Sequence, residues 1–590
     1  MPKKSKVRAA IYLEKQRAVG EIGNPITFAK IYDAMKFLFA LVFAFFFALT
    51  ACKTPQSAAG KQTSTPFLWE NANVYFLLTD RFQNGDPAND VNFGRSAPTA
   101  TLRGFMGGDL AGITQKLQDG YFDRLGTTAI WFTPVVEQVH GPVDEGSGVT
   151  YGFHGYWTKD WTRLDPNFGT EQDLAAFVEQ AHQRGIRVVF DVVINHTGPV
   201  TAQDPVWPMD WVRTTPKCTY KNQETTVTCT LVDNLPDIKT ESNTVTQLPA
   251  YLLEKWKKEG RLEREVAELD AFFLRTGYPR APRFYIIKWL TDLVRKYGVD
   301  GFRCDTAKHT EETVWAELRK EADLAFRDWK KAHSGKVLDN NDFYMVGEVY
   351  DYNIANGRLY DFGDRKVDFF SQGFTSLINF GLKYDAASPG YEAVFSKYSA
   401  LLHGPLQGRT VLNYLHSHDD GSPFDRPRTR PFEAGTKLLL CPGGAQVYYG
   451  DETARPLLVT GAQGDANLRS FMNWEELTGN ATRNGYRVQE VLAHWQKLGQ
   501  FRRAHPSVGA GLHTMLSTQP YLFKRTYQAG GFTDVALVGL DLPKGKKDIP
   551  VSGVFTDGMT VRDYYSGQTL QVSAGKVSVT SEFGIVLLGK

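Results

Sequence analysis

The sequence predicts an α/β fold: a (β/α)8 TIM barrel with a small domain inserted after its third strand and a C-terminal antiparallel β-sandwich. Across residues 67–196 and 284–504, short apolar strand-like runs alternate with amphipathic helical stretches, which is typical of a parallel sheet covered by helices. Residues 197–283 interrupt this alternation over more than an ordinary loop length. Residues 505–590 lose the helical signals and carry alternating segments between Gly- and Asp-rich turns.

Eight segments have the composition expected of barrel strands. In chain order they are Val74–Leu78, Thr128–Phe132, Arg187–Ile194, Val299–Cys304, Phe343–Val346, Thr375–Phe380, Thr410–Leu415 and Gln446–Tyr449. Reactive residues of such barrels lie at the C-terminal ends of the strands. The polar residues that follow each strand are therefore the candidates for chemistry.

The length and net charge of the chain limit the classes of protein to which it can belong. A chain of 590 residues can bury a large core and carry accessory domains. The formal net charge of +2 gives no electrostatic signature of binding to nucleic acid or to an anionic surface. We expect a neutral substrate, no nucleic-acid partner and a monomer.

The N-terminus carries a targeting signal. Thirteen apolar residues, 37–49, are too few to span a bilayer but fit the core of a signal peptide. They lead into Leu49–Cys52, which resembles the lipobox of bacterial lipoproteins, with Cys52 as the lipidated residue; a small-residue cleavage site before a chance cysteine is the alternative. We interpret 35–52 as the signal, 53–66 as a flexible tether and 1–34 as a non-structural extension. The protein is then exported, either anchored at a membrane facing the periplasm or cell surface, or periplasmic.

Four further cysteines remain after Cys52. Cys218 and Cys229 bracket a polar stretch, which outside the cytoplasm favours a local disulfide. Cys304 and Cys441 lie in apolar strand patterns and are expected to be buried free thiols.

Four strand-end motifs carry carboxylates, histidines and cations. They are Asp191–His196, Gly301–His309, Gly347–Tyr350 and His416–Asp420, which follow the third, fourth, fifth and seventh strands. One such motif alone could be a coincidental carboxylate or a structural ion pair. Four in this order are hard to obtain by chance, and they indicate one composite site.

These motifs resemble the signature regions of glycoside hydrolase family 13, the α-amylase superfamily. The likeness runs from about Tyr75 into the C-terminal sandwich and includes the stretches 153–157, 235–242 and 442–452. The stretch 235–242 and the cysteine-bracketed insertion look most like the periplasmic α-amylases of Gram-negative bacteria. The resemblance implies hydrolysis of α-1,4-glucosidic bonds in starch, glycogen or maltodextrins, with retention of configuration.

Residue roles follow from the same resemblance. It implies Asp305 as nucleophile, Glu348 as acid/base and Asp419 as the carboxylate that stabilises the transition state. Adjacent strand ends can deliver the carboxyl separation of ~5–5.5 Å that retaining glycosidases need. Arg303 precedes Asp305 by two positions on one strand, so both side chains point the same way, and the cation is expected to keep Asp305 ionised. The remaining substrate-binding residues that the resemblance implies are His154, Tyr156, His196, Lys308, His309 and His418.

Two oxygen-rich clusters resemble calcium sites of the family. Asn195, Asp237 and the backbone carbonyl of His309 match the site that joins the inserted domain to the barrel; hard oxygen ligands suit Ca2+ and not a Cys/His zinc site. The second cluster resembles a loop of cyclodextrin-forming relatives, although such residues also make ordinary turns. Its members are Asn84, Asp86, Asn89, Asp90, Gly107 and Asp109.

Two other functions share much of this pattern. Transglycosylation uses the same covalent intermediate, but no starch-binding domain typical of cyclodextrin formers follows the sandwich, which favours hydrolysis. A catalytically inactive glycan-binding lipoprotein would be expected to lack at least one of the three carboxylates, and all three are present.

Overall fold

Eight parallel strands close into a barrel in the order of the chain. A computed structural model describes residues 65–590, and in it each barrel strand pairs with its sequence neighbours while the eighth pairs with the first. The strands are β1 Asn73–Leu77, β2 Ala129–Phe132, β3 Arg187–Val192, β4 Gly301–Cys304, β5 Tyr344–Gly347, β6 Ser376–Asn379, β7 Thr410–Asn413 and β8 Gly444–Tyr448. All eight predicted strands are confirmed, each within two residues of its predicted ends.

Every residue of these eight strands is buried. Helices cover the outer face of the barrel and side chains fill its interior. Because both faces of each strand are buried, the strand sequences are nearly continuous apolar runs. Asp191 and Arg303 are exceptions to that apolar pattern, and they lie opposite each other in the β3–β4 register.

The longer helices of the described chain are α1 Leu110–Gln118, α2 Glu171–Gln183, α3 Ala250–Lys258, α4 Leu262–Thr276, α5 Pro282–Tyr297, α6 Thr313–Ala332, α7 Glu392–His403, α8 Pro431–Leu439 and α9 Val488–Ala504. Shorter helical turns are Trp69–Asn71, Thr79–Phe82, Pro87–Asn89, Tyr121–Arg124, Glu224–Val227, Ala307–His309, Ser334–Lys336, Ile354–Asn356, Leu382–Asp385, Gly464–Leu468, Trp474–Thr478 and Ser507–Ala510. Local sequence sets their ends: Thr170 and Asp173 form a capping box at the start of α2, and Gly298 ends α5 with φ of 72°.

The insertion after β3 combines a small β-element with two helices. Val212–Arg213 pairs with Asp237–Ile238, Cys218 and Cys229 form the predicted disulfide, and α3 and α4 follow. Buried side chains of this segment, such as Trp211 and Trp256, belong to the same apolar cluster as Trp289 of α5. The insertion therefore packs into the barrel's own core.

The C-terminal segment is an antiparallel sandwich, as predicted. Its strands are β9 Leu512–Thr518, β10 Tyr521–Ala529, β11 Phe532–Leu540, β12 Gly545–Pro550, β13 Thr560–Asp563, β14 Thr569–Gln571, β15 Lys576–Ser581 and β16 Val586–Gly589. Six form a sheet in the order β9-β10-β11-β16-β13-β14, and β12 pairs with β15. Leu537, Ile549 and Val577 join both sheets in a second apolar core.

Four further strand pairs are short. They are Val136–Gln138 with Thr158–Leu164, Val143–Asp144 with Val149–Thr150, Tyr360–Asp361 with Lys366–Val367, and Thr482–Arg483 with Tyr486–Arg487. Within residues 65–590, no helix is long and apolar enough to cross a bilayer. Cys52 and the predicted segments 1–34 and 35–52 lie outside the described residues, as does 53–64 of the predicted tether.

Candidate active site

The strand register places two carboxylates side by side at the C-terminal end of the barrel. Cys304 of β4 pairs with Gly347 of β5, and Asp305 and Glu348 are the next residues along each strand. The Glu348 N–H donates to the Cys304 carbonyl at 3.0 Å. The two side chains therefore start from the same level of the barrel.

One guanidinium connects these carboxylates. Arg303 Nη1 donates to Asp305 Oδ1 at 2.7 Å, and Nη2 lies 3.0 Å from Glu348 Oε2. The Arg303 side chain is 1% exposed, so water does not screen these contacts. A buried cation that two carboxylates share holds both in a fixed orientation and compensates part of their charge.

Glu348 has the environment of a proton donor. Burial raises its pKa well above the usual value, Arg303 opposes that shift, and the negative charges of Asp305 and Asp419 add to it. The Thr306 N–H donates to Glu348 Oε2 at 2.9 Å from a backbone with φ of 47°, an uncommon conformation for a non-glycine residue. This hydrogen bond holds the Glu348 carboxyl in place.

Asp419 lies at the edge of the same cluster. Its side chain is 37% exposed, and its Oδ2 is 3.7 Å from His418 Nε2. Protein nevertheless surrounds most of the carboxyl, and this desolvation raises its pKa against the opposing charges of Arg303 and Arg469. Because Asp419 remains open to solvent, it can contact a bound molecule directly.

Three histidines and one tyrosine form the wall beside the carboxylates. Tyr156 stacks on His418 with ring centroids 5.3 Å apart, and its N–H donates to His154 Nδ1. His196 Nε2 lies 3.1 Å from the Tyr156 carbonyl oxygen. Burial lowers the pKa of all three histidines, so at neutral pH they are uncharged hydrogen-bonding groups.

Lys308 and His309 lie on the turn after β4. Lys308 Nζ donates to the Tyr350 carbonyl at 3.2 Å, and His309 Nδ1 lies 3.1 Å from the Thr226 carbonyl of the insertion. Burial lowers the pKa of His309 to about 4. The disulfide-closed segment 218–229 is thereby attached to the catalytic end of the barrel.

Two residues of this network were not among the predicted site residues. Asp191 accepts hydrogen bonds from Tyr156 Oη and Trp131 Nε1, each at 2.9 Å, and pairs with Arg303; the sequence showed it only as the first residue of the motif 191–196. Arg469 donates through Nε to the His418 carbonyl at 2.9 Å and pairs with Asp465. Arg469 follows β8 in a loop without a recognised motif, so only its i,i+4 spacing from Asp465 could have suggested it.

Comparison with known proteins places this arrangement in a family. The model of the α-amylase catalytic domain matches residues 76–511. The chain belongs to the α-amylase family. The periplasmic α-amylase of Escherichia coli (strain K12) is 38% identical to the enzyme over 531 residues, which cover 80% of this chain and 72% of that protein. A cyclomaltodextrin glucanotransferase of Geobacillus stearothermophilus is 25% identical, over 89% of this chain and 66% of that protein.

Solved structures agree on the fold of the enzyme. An α-amylase from Geobacillus thermoleovorans, solved in complex with acarbose, superposes with a TM-score of 0.60 at 21% identity and covers 89% of this chain and 99% of that one. A cyclomaltodextrin glucanotransferase described as having a three-domain ABC distribution gives a TM-score of 0.59 at 21% identity, covering 88% and 99%. At these identities the likeness establishes the architecture alone.

The first oxygen-rich cluster of the enzyme has the donor set of a calcium site. The insertion strand at Asp237 bridges to His196, which brings Asn195 and Asp237 onto neighbouring strands, both 1% exposed. Asn195 Oδ1 is buried without a hydrogen-bond partner in the described chain, whereas the buried Asp237 Oδ2 lies 3.0 Å from Arg213 Nη1 in an ion pair. Buried oxygens without donors suit a hard cation.

No group of three or more His, Cys, Asp or Glu side chains within residues 65–590 is arranged to hold a metal. An ion at Asn195 and Asp237 would therefore also draw on amide and main-chain carbonyl oxygens. These ligand types are normal for Ca2+.

The second cluster is partly used by the fold itself. Asp109 caps α1 by accepting from the Gly112 N–H at 2.6 Å, and it also accepts from the Asp86 N–H and Asn89 Nδ2. Asn84 Nδ2 donates to Asp90 Oδ1, and a Cβ at Gly107 would lie 2.5 Å from both residues. Asn84 Oδ1 and Asn89 Oδ1 are buried without partners among the described residues. The cluster offers two free amide oxygens but no free buried carboxylate at Asp109.

Proposed function

We propose that the enzyme is an α-amylase that hydrolyses α-1,4-glucosidic bonds of starch, glycogen or maltodextrins with retention of configuration. One observation carries this proposal: Asp305 and Glu348 contact the same buried guanidinium of Arg303 from adjacent strand ends. That arrangement favours the close carboxyl pair of retaining glycosidases, ~5–5.5 Å apart, over the wider ~6.5–9.5 Å separation of inverting enzymes.

In the first step, Asp305 attacks the anomeric carbon while Glu348 gives its proton to the glycosidic oxygen. The C–O bond to the leaving chain breaks, its electron pair goes to the protonated oxygen, and a β-linked glycosyl ester forms on Asp305. The raised pKa of Glu348 supports this role, because the carboxyl must still hold a proton at neutral pH.

In the second step, Glu348 is ionised and accepts a proton from water. The water oxygen attacks the anomeric carbon, the ester bond to Asp305 breaks, and the product leaves with the α configuration. Glu348 ends the cycle protonated again. We assign Asp419 to the hydroxyls of the distorted sugar and to the charge of its oxocarbenium-like transition state.

The neutral side chains of the wall bind the sugar. We assign the Tyr156 ring to the apolar face of the glucosyl unit at the cleavage point, and His154, His196 and His418 to its hydroxyls. Uncharged imidazoles can donate and accept hydrogen bonds, which suits a neutral polyhydroxyl ligand. Lys308 and His309 are assigned to the sugar on the leaving side.

We also propose that calcium binds at Asn195 and Asp237 together with the His309 carbonyl. The buried Asn195 Oδ1, which has no donor among the described residues, and the neighbouring buried carboxylate of Asp237 support this assignment. The ion would join the insertion to the barrel and strengthen the fold, and no chemical step needs it. The cluster from Asn84 to Asp109 is a second, weaker candidate, because Asp109 already serves as a helix cap.

For localisation, we propose export and attachment to a membrane through a lipidated Cys52, with a periplasmic enzyme as the alternative. The lipobox sequence supports anchoring, and the multiply acylated cysteine of bacterial lipoproteins would make it stable. Cell fractionation of wild type and Cys52→Ser tests it: wild type should sediment with membranes and the variant should not. A wild type that is entirely soluble in the periplasm would show that the anchor is wrong.

The central test is the configuration of early products. Purified enzyme is incubated with a maltooligosaccharide, and proton NMR is recorded before mutarotation mixes the anomers. Release of the α-anomer, together with new reducing ends from soluble starch, is the expected result. An initial β-anomer contradicts the retaining mechanism, and the absence of any reducing ends contradicts the function.

Transglycosylation is the second candidate. The similarity to cyclomaltodextrin glucanotransferases favours it, and one of them has only three domains, so a missing C-terminal module does not separate the two activities. Chromatography of products formed from starch decides: linear maltooligosaccharides indicate hydrolysis, and cyclic products indicate transfer.

A further inference from the structure

Asp419, the third carboxylate of the site, has few contacts that hold its own side chain. Among the described residues, the only hydrogen bond to its carboxylate comes from Ser417 Oγ at 3.4 Å, and His418 Nε2 lies 3.7 Å away. The other two carboxylates both contact the guanidinium of Arg303. The position of the Asp419 carboxylate must therefore be set by the chain on either side of it.

The next residue, Asp420, is held by three donors. Lys383 Nζ and Tyr414 Oη both donate to its Oδ2, the second at 2.7 Å, and the Ser422 N–H donates to its Oδ1 at 2.9 Å. Burial would raise the pKa of this carboxyl, but the hydrogen bonds of Lys383 and Tyr414 outweigh it and hold the pKa below its usual value. Asp420 is thus an ionised, buried anchor directly beside Asp419.

Lys383 reaches this anchor from the loop of the neighbouring strand. It lies on the helical turn Leu382–Asp385 after β6, whereas the two aspartates follow β7. At the ends of these strands Asn379 Nδ2 donates to Asn413 Oδ1 at 2.8 Å, so β6 and β7 enter their loops in a fixed register. The buried ion pair between Lys383 and the second aspartate then fixes one loop relative to the other.

We propose that Lys383 is a positioning residue for the reaction, which sets the place of the Asp419 carboxylate through its ion pair with Asp420. The Lys383 side chain is 6% exposed, so it acts through its partner and not on a substrate. A catalytic group must be held closely, and a displacement of about 1 Å can cost on the order of 10²-fold in rate. The proposal rests on the proposed role of Asp419 at the transition state.

Three variants of the full-length chain test the proposal, each assayed for kcat and KM on a maltooligosaccharide and for Tm. Lys383→Met should lower kcat about 10- to 100-fold and change KM less than threefold, because Asp419 acts mainly on the transition state. Lys383→Arg keeps the cation and should recover part of kcat. The double variant Lys383→Met/Asp420→Asn leaves no unpaired buried charge, so it should regain Tm but keep the low kcat.

Lys288→Met is the matched control. Lys288 is also a buried lysine, and it pairs with Glu268 at 2.8 Å and Asp292 at 2.6 Å on the outer helices of the barrel. Its loss should lower Tm and leave kcat and KM unchanged. A fall in kcat of the same size in Lys288→Met would mean that losing any buried lysine slows the enzyme, and would overturn the proposal.

A second comparison separates positioning from a general structural effect. Asp419→Asn alone should lower kcat strongly. Adding Lys383→Met to it should lower the residual kcat on an activated aryl maltoside less than twofold, because the carboxylate that Lys383 positions is already gone. A full additional loss in that background overturns the proposal. So does wild-type kcat in Lys383→Met/Asp420→Asn, even if Lys383→Met proves unstable.

The outcomes also distinguish this inference from the proposed function. A wild type that cleaves no α-glucan refutes the proposed function, and an Asp419→Asn variant with wild-type kcat refutes the role of that carboxylate; the inference fails with either. An active wild type, an impaired Asp419→Asn and an unchanged kcat in Lys383→Met refute the positioning role alone.

Discussion

Asp305 and Glu348 at the ends of β4 and β5 contrast with Asn195, just beyond β3, and Asp237 of the insertion. Both pairs are buried at the catalytic end of one barrel. The first pair receives hydrogen bonds from Arg303 and from the Thr306 N–H. In the second pair, Asn195 Oδ1 has no hydrogen-bond donor in the described chain, and Asp237 Oδ2 forms an ion pair with Arg213.

This difference underlies our assignment of the first pair to chemistry and of the second pair to calcium. Burying a carboxylate is costly unless a cation or donors compensate it. At Asp305 and Glu348 the protein itself supplies the compensating cation, Arg303, so the two carboxylates remain available to react with a substrate. At Asp237 the compensating cation Arg213 is shared with Glu241, and Asn195 Oδ1 has no donor in the described chain; the proposal of a bound calcium ion rests on these two observations. The following predictions test that distinction.

The largest effect should come from Asp305→Asn. We expect kcat on maltooligosaccharides and starch to fall by roughly 10⁴–10⁶-fold, because the amide cannot form the glycosyl ester. Reducing-sugar assays measure the loss. Asp237→Ala is the comparison: it should retain most activity at low temperature in excess calcium. Similar losses in both variants would mean that the two pairs do not differ as described.

Glu348→Gln should separate the two halves of the reaction. On natural glucans the loss of the acid should cost ~10²–10⁴-fold. On an aryl maltoside whose leaving group needs no protonation, the first step should remain fast, visible as a burst of released phenol. Slow release of product from both substrate types would contradict the assignment of Glu348 as the acid.

The raised pKa of Glu348 predicts a shifted pH profile. The acid works while protonated, so kcat/KM on a maltooligosaccharide should stay high above the unshifted value of 4.5 and fall as pH rises through the raised pKa. The aryl maltoside should show a much flatter alkaline limb. Identical limbs for the two substrates would contradict the assignment.

Calcium removal should act on stability more than on chemistry. At calcium one hundred times above its Kd, binding to the native state alone contributes about 3 kcal/mol, so a chelator should lower Tm by several degrees. Asp237→Ala should start from a lower Tm and respond less to the chelator. Calorimetry with and without calcium measures both. If the chelator does not change the wild-type Tm, the proposal that calcium binds at Asn195 and Asp237 is wrong.

The smallest effect is expected at the second cluster. Asp109→Ala should cost ~1 kcal/mol through loss of the α1 cap, with or without calcium. Asp86→Ala leaves that cap intact and serves as the control. If chelation lowers Tm less in Asp86→Ala than in wild type, or if Asp109→Ala abolishes the calcium response, then the second cluster also binds a metal.

Strand positions were predictable because buried parallel strands are short apolar runs with polar residues directly after them. The same rule located Asp305, Glu348 and Asp419. Roles beyond that came from the family resemblance, since a single strand-end carboxylate has no unique meaning. The disulfide and the two buried free thiols were also predicted from the sequence and are confirmed.

Other features depend on contacts between distant segments. Asp191 looked like one residue of a motif, and only the β3–β4 register shows that it holds Arg303 and Tyr156 together. Arg469 reaches the site from a loop without a motif.

The pairing of Cys304 with Gly347 has a consequence for divergence within the family. Main-chain hydrogen bonds set this pairing, so the spacing of Asp305 and Glu348 does not depend on which side chains fill the surrounding loops. A shift of one residue between β4 and β5 would move Glu348 by ~3.3 Å and turn its side chain towards the helices. Insertions in loops are therefore tolerable, whereas a single insertion inside either strand is not. The loop sequences can therefore change and bind new glucans, while the reaction stays the same.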